Sequence, residues 1–229
     1  YAFTLSETIA EPVILRTTTR INHSTGPVTL GSLPEKIRPV GKFEKDPFNY
    51  VAVPAVSRKL HAKLLENIEK AQQISDNSPY NFLQGGGEYG VICNGVSYNY
   101  VTDALRELEA EKKVTVLRVG FSHPMPEAMI KPFLQSRKKV LVVEEGEPVM
   151  EEAVKAMAAE AQIVLLIAGK KEGLFSRLSE LDPLLVKQRL AEYFELGWSP
   201  PAPLPLTDVP EVPQRPPNLC PGCSHRATF

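Results

Sequence analysis

Two cysteines near the end of the sequence have the spacing of a metal or redox site. Cys220 and Cys223 are separated by Pro-Gly, and His225 follows two positions later. Two thiols at this spacing can turn toward one metal atom, and the His is a candidate third ligand. A complete site needs further ligands and a surrounding structure that orients them. We therefore interpret the sequence from Cys220 to Phe229 as the opening of a further domain in a longer enzyme.

A second group of polar residues follows an apolar run near the start. An arginine such as Arg20 can bind a carboxylate through two parallel hydrogen bonds, and threonine hydroxyls can provide further donors to the same carboxylate. The same residue types also form capping turns, so the residues alone leave an anion-binding loop and a structural turn equally open. The group consists of Thr17, Thr18, Thr19, Arg20, His23 and Ser24.

An acidic segment and a glycine follow two predicted strands. The segment Glu144-Glu-Gly-Glu147 suits cation binding or acid–base work, but acids are also favoured at a helix N-terminus, and a contact surface is a third interpretation. Gly95 lies at the first strand-to-helix turn, where doubly wound folds bind phosphates. Without a Gly-x-Gly-x-x-Gly pattern, we favour a turn-making role for Gly95.

Alternating apolar runs and helical periodicities predict the elements that position these residues. Strand–helix alternation between Gly90 and Gly169 is typical of βαβ units. We therefore predict an α/β fold, a three-layer α/β/α arrangement with a mostly parallel sheet, and leave an antiparallel edge strand open. The predicted strands are 89–94, 114–119, 139–144 and 163–168, and the predicted helices are 101–108, 126–134, 148–159 and 182–194. Cys93 falls inside the first of these strands and is predicted to be a core residue.

The first third of the chain is less regular. Glu11–Arg16 is a continuous apolar run that predicts a buried strand. A helix with Ser57 as its N-cap is predicted to follow, with one apolar face that includes Leu64. The residues of that face are Leu60, Leu64, Ile68, Ala71 and Ile74.

Composition excludes several classes of protein. The net charge is -1, which gives no electrostatic case for nucleic acid or an anionic membrane. No apolar run reaches the roughly 20 residues that span a bilayer. The start has no basic region followed by an apolar one, and 3 cysteines argue against a secreted disulfide framework, so we predict a cytoplasmic protein. Prolines concentrate in residues 198–217, which predicts a semi-rigid linker.

Five motifs together resemble one enzyme family. They are Arg16-Thr-Thr-Thr-Arg-Ile-Asn-His-Ser24, Gly95-Val-Ser-Tyr-Asn-Tyr100, Val140-Leu-Val-Val-Glu-Glu-Gly-Glu-Pro148, Ser179-Glu-Leu-Asp-Pro183 and Cys220-Pro-Gly-Cys-Ser-His-Arg226. In this order they resemble the alpha subunits of the indolepyruvate:ferredoxin oxidoreductase family, in the 2-oxoacid:ferredoxin oxidoreductase superfamily. The resemblance runs across nearly the whole chain and identifies it as an internal fragment of such a subunit.

The resemblance implies a division into four parts. Residues 1–54 resemble the end of a pyrimidine-type thiamine-binding domain and its connection, and residues 55–197 resemble a transketolase C-terminal-like α/β domain. Residues 198–217 form the proline-rich linker, and residues 218–229 resemble the start of a diphosphate-type thiamine-binding domain. The segment in hand would then act mainly as scaffold and interface, and we expect it to be inactive alone.

The implied reaction is oxidative decarboxylation of an aryl pyruvate such as indolepyruvate to an acyl-CoA, CO2 and reduced ferredoxin. The implied cofactors are thiamine diphosphate, Mg²⁺ and 4Fe-4S clusters, with coenzyme A as co-substrate. The implied partners are a smaller beta subunit and ferredoxin. By the same resemblance, Thr19 and Arg20 face the substrate carboxylate, and Cys220 and Cys223 match cysteines that bind a cluster in some superfamily members.

A different class of function stays open beside this one. A stand-alone α/β module would use Gly95 and Glu144–Glu147 to bind a nucleotide or a metal ion. A proline-rich stretch leading to Cys-Pro-Gly-Cys is not needed by such a module, which favours the oxidoreductase interpretation.

Overall fold

The computed structural model describes residues 1–32, 41–202 and residue 213. Residues Tyr1–Ser199 form one compact unit. Cys220, Cys223 and His225 lie outside the described residues, as does most of the predicted linker. None of the helices within the described ranges is long and apolar enough to span a membrane.

The compact unit contains helices on both sides of one five-stranded sheet. In chain order the helices are α1 (Ala2–Ile9), α2 (Thr19–Asn22), α3 (Pro47–Tyr50), α4 (Pro54–Asp76), α5 (Ser97–Glu107), α6 (Glu127–Gln135), α7 (Val149–Glu160) and α8 (Pro183–Phe194). The strands are β1 (Asn81–Gly85), β2 (Tyr89–Asn94), β3 (Val114–Val119), β4 (Lys139–Val143) and β5 (Leu166–Ala168).

The sheet is parallel except at one edge. Its strand order is β1-β3-β2-β4-β5, and β2 lies between β3 and β4 with both neighbours parallel to it. β4 and β5 are also parallel, whereas β1 runs antiparallel to β3 and forms the edge that the sequence had left open. Each apolar run of the parallel strands is buried because helices cover both faces.

Two apolar cores, one on each face of the sheet, confirm the predicted three-layer fold. On one face Val91 and Cys93 of β2 pack among residues of α5 and α8, such as Val101 and Leu190. On the other face Ile92 packs among residues of α6 and α7. Because alternate residues of a strand point to opposite faces, β2 contributes to both cores.

The segment from Glu11 to Arg16 is not a strand, and that prediction was wrong. It pairs with neither edge of the sheet, and Ile14 and Leu15 are 89% and 79% exposed. A buried strand needs a hydrogen-bonded neighbour, and none of the described strands provides one. The segment instead connects α1, a helix that the sequence did not predict, to α2.

The long helix α4 begins earlier than predicted and buries only the C-terminal part of the predicted face. Its N-cap is Val53, and Pro54 occupies the first turn, where its missing N–H is tolerated. Leu64 and Ile68 are exposed, while Asn67 and Ala71 are buried. Ala71 packs against Leu5 and Ile9 of α1, with Ile74 beside them, so α1 covers the C-terminal part of the predicted face.

Leu64→Ala is therefore expected to reduce the free energy of unfolding by less than about 1 kcal/mol, since the side chain is already 38% exposed. Leu134→Ala in α6 is the matched change, and it is expected to cost at least about 2 kcal/mol because it leaves a cavity in a closed core. Urea denaturation of both variants measures the difference. Equal losses would mean that the face of α4 containing Leu64 is covered.

Candidate functional site

The topological switch point of the sheet lies at the carboxyl ends of β2 and β4. These neighbouring strands lead to helices on opposite faces, α5 after β2 and α7 after β4. Where connections diverge in this way, the turns separate, and α/β proteins bind ligands between them. The two turns here are residues 94–97 and 144–147, which we call the switch-point turns. They contain Gly95 and the acidic segment picked out from the sequence.

Gly95 shapes the first switch-point turn. Its φ is +51°, in the left-handed region that disfavours side chains. A Cβ at this position would meet nothing within 4 Å, so conformation rather than space requires the glycine. The turn-making role therefore has a geometric cause, and phosphate binding at this turn stays a prediction.

Glu144, in the second switch-point turn, caps the N-terminus of α7. One of its carboxylate oxygens accepts a hydrogen bond from the N–H of Met150, and the other accepts one from the N–H of Glu151, both at 2.8 Å. These N–H groups have no partner within the helix, so the carboxylate satisfies them. Glu144 is only 4% exposed, and burial raises the pKa of its carboxyl while the two hydrogen bonds oppose that rise.

The carboxylates of the other two acids in the segment also bind other residues of the chain. The carboxylate of Glu145 accepts a hydrogen bond from the N–H of Leu181, at 3.2 Å from one oxygen and 3.3 Å from the other. Glu147 forms an ion pair with Arg177. Across residues 1–32 and 41–202, no group of three or more His, Cys, Asp and Glu side chains is placed to hold a metal ion. The contacts therefore favour the structural interpretation of this segment over cation binding.

Arg20 lies in the short helix α2 and contacts both α5 and the segment that precedes α8. Its Nε donates a hydrogen bond to Oε2 of Glu180 at 3.0 Å, and its Nη2 lies 3.0 Å from the same oxygen. Its Nη1 donates to the hydroxyl of Tyr100 at 3.1 Å. Tyr100 belongs to α5, directly after the first switch-point turn, and Glu180 precedes α8. The hydroxyl of Tyr100, followed by the carboxylate of Glu180, raises the pKa of Arg20 above its ordinary value, so the guanidinium stays charged.

The neighbours of Arg20 hold the backbone of α2. The hydroxyl of Ser24 lies 2.9 Å from the carbonyl oxygens of both Arg20 and Ile21, and that of Thr17 donates to Oδ1 of Asn22 at 2.9 Å. Thr19 is the first residue of α2 and is exposed beside Arg20. Thr17 and Ser24 thus form the capping turn, while Thr19 and Arg20 are left facing outward. The contacts fit the capping interpretation for Thr17 and Ser24, and anion binding by Thr19 and Arg20 stays a prediction.

Tyr100 and Glu180 are the residues of this site that sequence reasoning missed. Each lies inside one of the five motifs, but 80 residues separate Tyr100 from Arg20 and 160 residues separate Glu180 from it. No pattern within one motif indicates a contact over such distances. The available signal was an unassigned acid in the motif Ser179–Pro183.

Cys93 is a core residue, as predicted. Its side chain is fully buried in β2, and this burial raises the pKa of the thiol far above its ordinary value. A thiol kept protonated in this way is neither a nucleophile nor a metal ligand.

The stability contributed by Glu144 is expected to rise as the pH falls. Burial raises its folded-state pKa above the ordinary 4.5, so the folded state takes up a proton at a higher pH than the unfolded state does. Its contribution therefore grows as the pH falls through the folded-state pKa, and it levels off below about 4.5. The free energy of unfolding of the wild type minus that of Glu144→Gln, measured in urea from pH 7 downward, reports this contribution. Glu151 and Lys170, which face Glu144, are present in both proteins. A difference that shrinks as the pH falls would contradict the burial argument.

Three curated proteins whose sequences are similar to this chain have the same name. The chain is 39% identical over 232 residues to the indolepyruvate oxidoreductase subunit IorA of Methanothermobacter thermautotrophicus and 41% identical over 243 residues to that of Thermococcus kodakarensis. The IorA subunit of Archaeoglobus fulgidus is 36% identical over 232 residues. The first two alignments cover 100% of this chain and the third covers 99%, but the chain spans only 36% of the length of each relative.

Two solved structures share part of the fold at low similarity. A 2-oxoglutarate:ferredoxin oxidoreductase from Magnetococcus marinus is 25% identical, with a TM-score of 0.41 over 63% of this chain and 24% of that chain. A split-gene transketolase is 16% identical, with a TM-score of 0.37 over 49% of this chain and 40% of that one. These scores are too low to support conclusions about function, and no protein-family model matches the chain.

The alignments to the IorA subunits extend over 99–100% of the chain. The chain therefore belongs to the family of indolepyruvate oxidoreductase IorA subunits, and it corresponds to about a third of the length of its relatives.

Proposed function

We propose that this chain is part of an oxidoreductase that uses thiamine diphosphate and iron–sulfur clusters to decarboxylate aryl pyruvates oxidatively. Indolepyruvate would be converted to an acyl-CoA and CO2, with electrons passing to ferredoxin. The observation that carries this proposal is the identity of 36–41% along the chain to subunits named for indolepyruvate oxidoreduction. A smaller beta subunit and ferredoxin are the proposed partners.

The proposed division of the chain follows the one that the resemblance implies. Residues 55–197 would be the transketolase C-terminal-like domain, and residues 1–54 would close a pyrimidine-type thiamine-binding domain. Residues 198–217 would be a linker to a diphosphate-type domain beginning at residue 218. The exposed apolar side chains of the first part, such as Ile14 and Phe48, are consistent with a segment that packs on further chain.

The cofactors fit the described residues poorly, so we assign them to other parts of the enzyme. Mg²⁺ binds a diphosphate with the help of one or two protein carboxylates, and across residues 1–32 and 41–202 no group of three or more His, Cys, Asp and Glu side chains is placed to hold a metal ion. Cys220 and Cys223 are proposed as metal ligands from their spacing, and as ligands of a 4Fe-4S cluster from the family resemblance. When bound, thiamine diphosphate supplies the electron sink that allows a 2-oxo acid to lose CO2.

The proposed role of this chain is to bind and orient the substrate carboxylate and to provide a rigid support. Arg20 and Thr19 lie exposed at the carboxyl end of the sheet, at the edge where α/β ligand crevices form. A guanidinium that is charged at every working pH suits a permanently ionised carboxylate. The sheet and its two helix layers hold Tyr100 and the turns against which α2 lies.

The test uses the longer polypeptide that contains this chain, purified with its partner subunit. We expect it to reduce ferredoxin when given indolepyruvate, coenzyme A and thiamine diphosphate, and to lose this activity when either coenzyme A or thiamine diphosphate is withheld. Pyruvate is the matched substrate, which carries the same carboxylate and keto group without the aryl side chain, and we expect slower reduction with it. A complex that oxidises no aryl pyruvate, or that works without thiamine diphosphate, would overturn the proposal.

A further inference from the structure

We propose that Glu180 is a positioning residue for Arg20, holding one edge of its guanidinium so that the remaining donors face a substrate carboxylate. This inference rests on the proposed function, in which Arg20 binds the carboxylate of a 2-oxo acid. Glu180 would be a further residue of the substrate site, and the sequence motifs alone do not indicate its contact with Arg20.

The hydrogen-bond donors of Arg20 are only partly used within the fold. A guanidinium carries five N–H groups. Oε2 of Glu180 accepts a hydrogen bond from Nε and lies 3.0 Å from Nη2, and the hydroxyl of Tyr100 accepts one from Nη1. At least one N–H on each terminal nitrogen is left. Two N–H groups are what a carboxylate needs for a bidentate pair.

Glu180 itself is fixed by the residues that follow it. The side chain of Leu181 is buried in the core and its N–H donates to Glu145, at the second switch-point turn. Asp182 accepts a hydrogen bond from the N–H of Leu185 at 2.9 Å and so caps α8. The backbone beside Glu180 is therefore anchored at two points, and its carboxylate offers Arg20 a fixed partner.

Tyr100 holds the opposite side of the guanidinium from a buried position in α5. Its ring packs in the core beneath α5 and α8, so only the hydroxyl reaches Arg20. A long arginine side chain that is free in solution loses rotamer freedom when it binds a ligand. Because Glu180 and Tyr100 already restrict Arg20, part of that loss occurs on folding rather than on substrate binding.

Glu180 could instead compete with the substrate for Arg20, since both are carboxylates. The geometry favours positioning, because Glu180 uses one oxygen on the Nε side and leaves a donor on both terminal nitrogens. The two roles predict opposite changes in KM. A positioning residue lowers KM, so its removal raises KM, whereas removal of a competitor lowers it.

The experiment measures kcat and KM for indolepyruvate in the assembled enzyme with Glu180→Ala, Glu180→Gln and Arg20→Ala. We expect Glu180→Ala to raise KM about tenfold with kcat within about twofold of the wild type, because the contact acts on binding. Glu180→Gln keeps an oxygen that accepts from Arg20, and it is expected to restore KM to within about threefold. Glu107→Ala removes an exposed carboxylate that pairs with Lys187 at 2.7 Å elsewhere in the fold, and it should leave KM unchanged.

The outcomes separate this inference from the proposed function. If Arg20→Ala raises KM while Glu180→Ala leaves it unchanged or lowers it, the positioning role is wrong and substrate binding by Arg20 stands. If Arg20→Ala leaves KM unchanged, the carboxylate-binding role fails and the inference fails with it. A rise in KM for Glu180→Ala without rescue by Glu180→Gln would mean that the negative charge, rather than the orientation, is required, and would overturn the positioning role. Both side chains are half-exposed, so the variants are expected to fold, and thermal unfolding checks this.

Discussion

Arg20→Ala is expected to lower kcat/KM for indolepyruvate by tens- to hundreds-fold in the assembled enzyme, because a truncated charge-assisted pair loses its whole contribution to binding. The fold should tolerate the change. Arg20 and Glu180 are 46% and 42% exposed, and ion pairs at such exposure contribute little to stability. Steady-state kinetics with ferredoxin reduction as the readout, together with the Tm of each variant, measures both effects.

Arg177→Ala is the matched control for Arg20→Ala. Arg177 is also an exposed arginine in an ion pair near the acidic turn, with Glu147 as its partner, but it has no proposed substrate role. Its removal should leave kcat/KM unchanged. Arg20→Lys is informative as well, since it keeps the charge and loses the planar fork, so an intermediate loss is expected. Unchanged kinetics in Arg20→Ala would return Thr19 and Arg20 to a purely structural turn.

Asn81→Ala is expected to destabilise the fold strongly. Asn81 is 4% exposed at the start of β1, and its Oδ1 accepts hydrogen bonds from the N–H groups of Gly120 and Phe121, both at 2.8 Å. Its Nδ2 donates to the carbonyl of Ser75 at 2.8 Å. The amide thus joins the end of α4, the edge strand and the turn after β3. Its removal leaves the N–H of Phe121 without a partner, whereas the N–H of Gly120 keeps the carbonyl of Tyr80 at 3.2 Å and the carbonyl of Ser75 keeps the N–H of Ser78 at 3.1 Å. The loss of these three hydrogen bonds is expected to cost about 2–3 kcal/mol.

Asn77→Ala provides the comparison for Asn81→Ala. Asn77 lies at the exposed end of α4, and its side chain donates one hydrogen bond to the carbonyl of Gln73. That loss is expected to stay within about 0.5 kcal/mol, as for most exposed positions. Urea denaturation of both variants at one pH gives the comparison. Similar losses for the two variants would mean that water replaces the partners of Asn81.

The strands of the central sheet could be predicted because their burial depends on a simple pattern. β2 and β3 have the predicted bounds, and β4 ends one residue earlier than predicted. Each is a continuous apolar run covered by helices on both faces, so the sequence itself carries the signal. β1 carries no such signal, since the strand Asn81–Gly85 is largely exposed and its place is set by pairing with β3.

The errors in the first third of the chain have a common physical cause. The segment around Ile14 and the part of α4 around Leu64 are apolar in pattern but exposed in the structure. Apolar periodicity predicts that a surface is suited to burial, but it does not identify the partner that covers it. The apolar residues from Leu60 to Ile74 are spaced by 4, 4, 3 and 3 positions, and this spacing correctly predicted a helix. The side of the helix that is buried depends on α1, which the sequence did not predict.

In the candidate site, the sequence could predict single residues from their functional groups, but not the contacts between them. Arg20 was found because a guanidinium among threonines suits a carboxylate. Its contacts with Tyr100 and Glu180 depend on three segments that meet only in the folded sheet, and no local spacing indicates them. The proposed ligands Cys220 and Cys223 stay predictions, since they lie outside the described residues.

The exposed segment between α1 and α2 also bears on how the chain behaves in solution. Val13, Ile14 and Leu15 are followed by Arg16 and then by three threonines, and the valine, the isoleucine and the threonines favour extended backbone. A short run of this kind with unpaired N–H and C=O groups is a template for intermolecular strand pairing. Wherever this segment is left uncovered, we expect the chain to self-associate as its concentration rises, so solubility depends on what covers residues 13–18 rather than on the strength of the sheet.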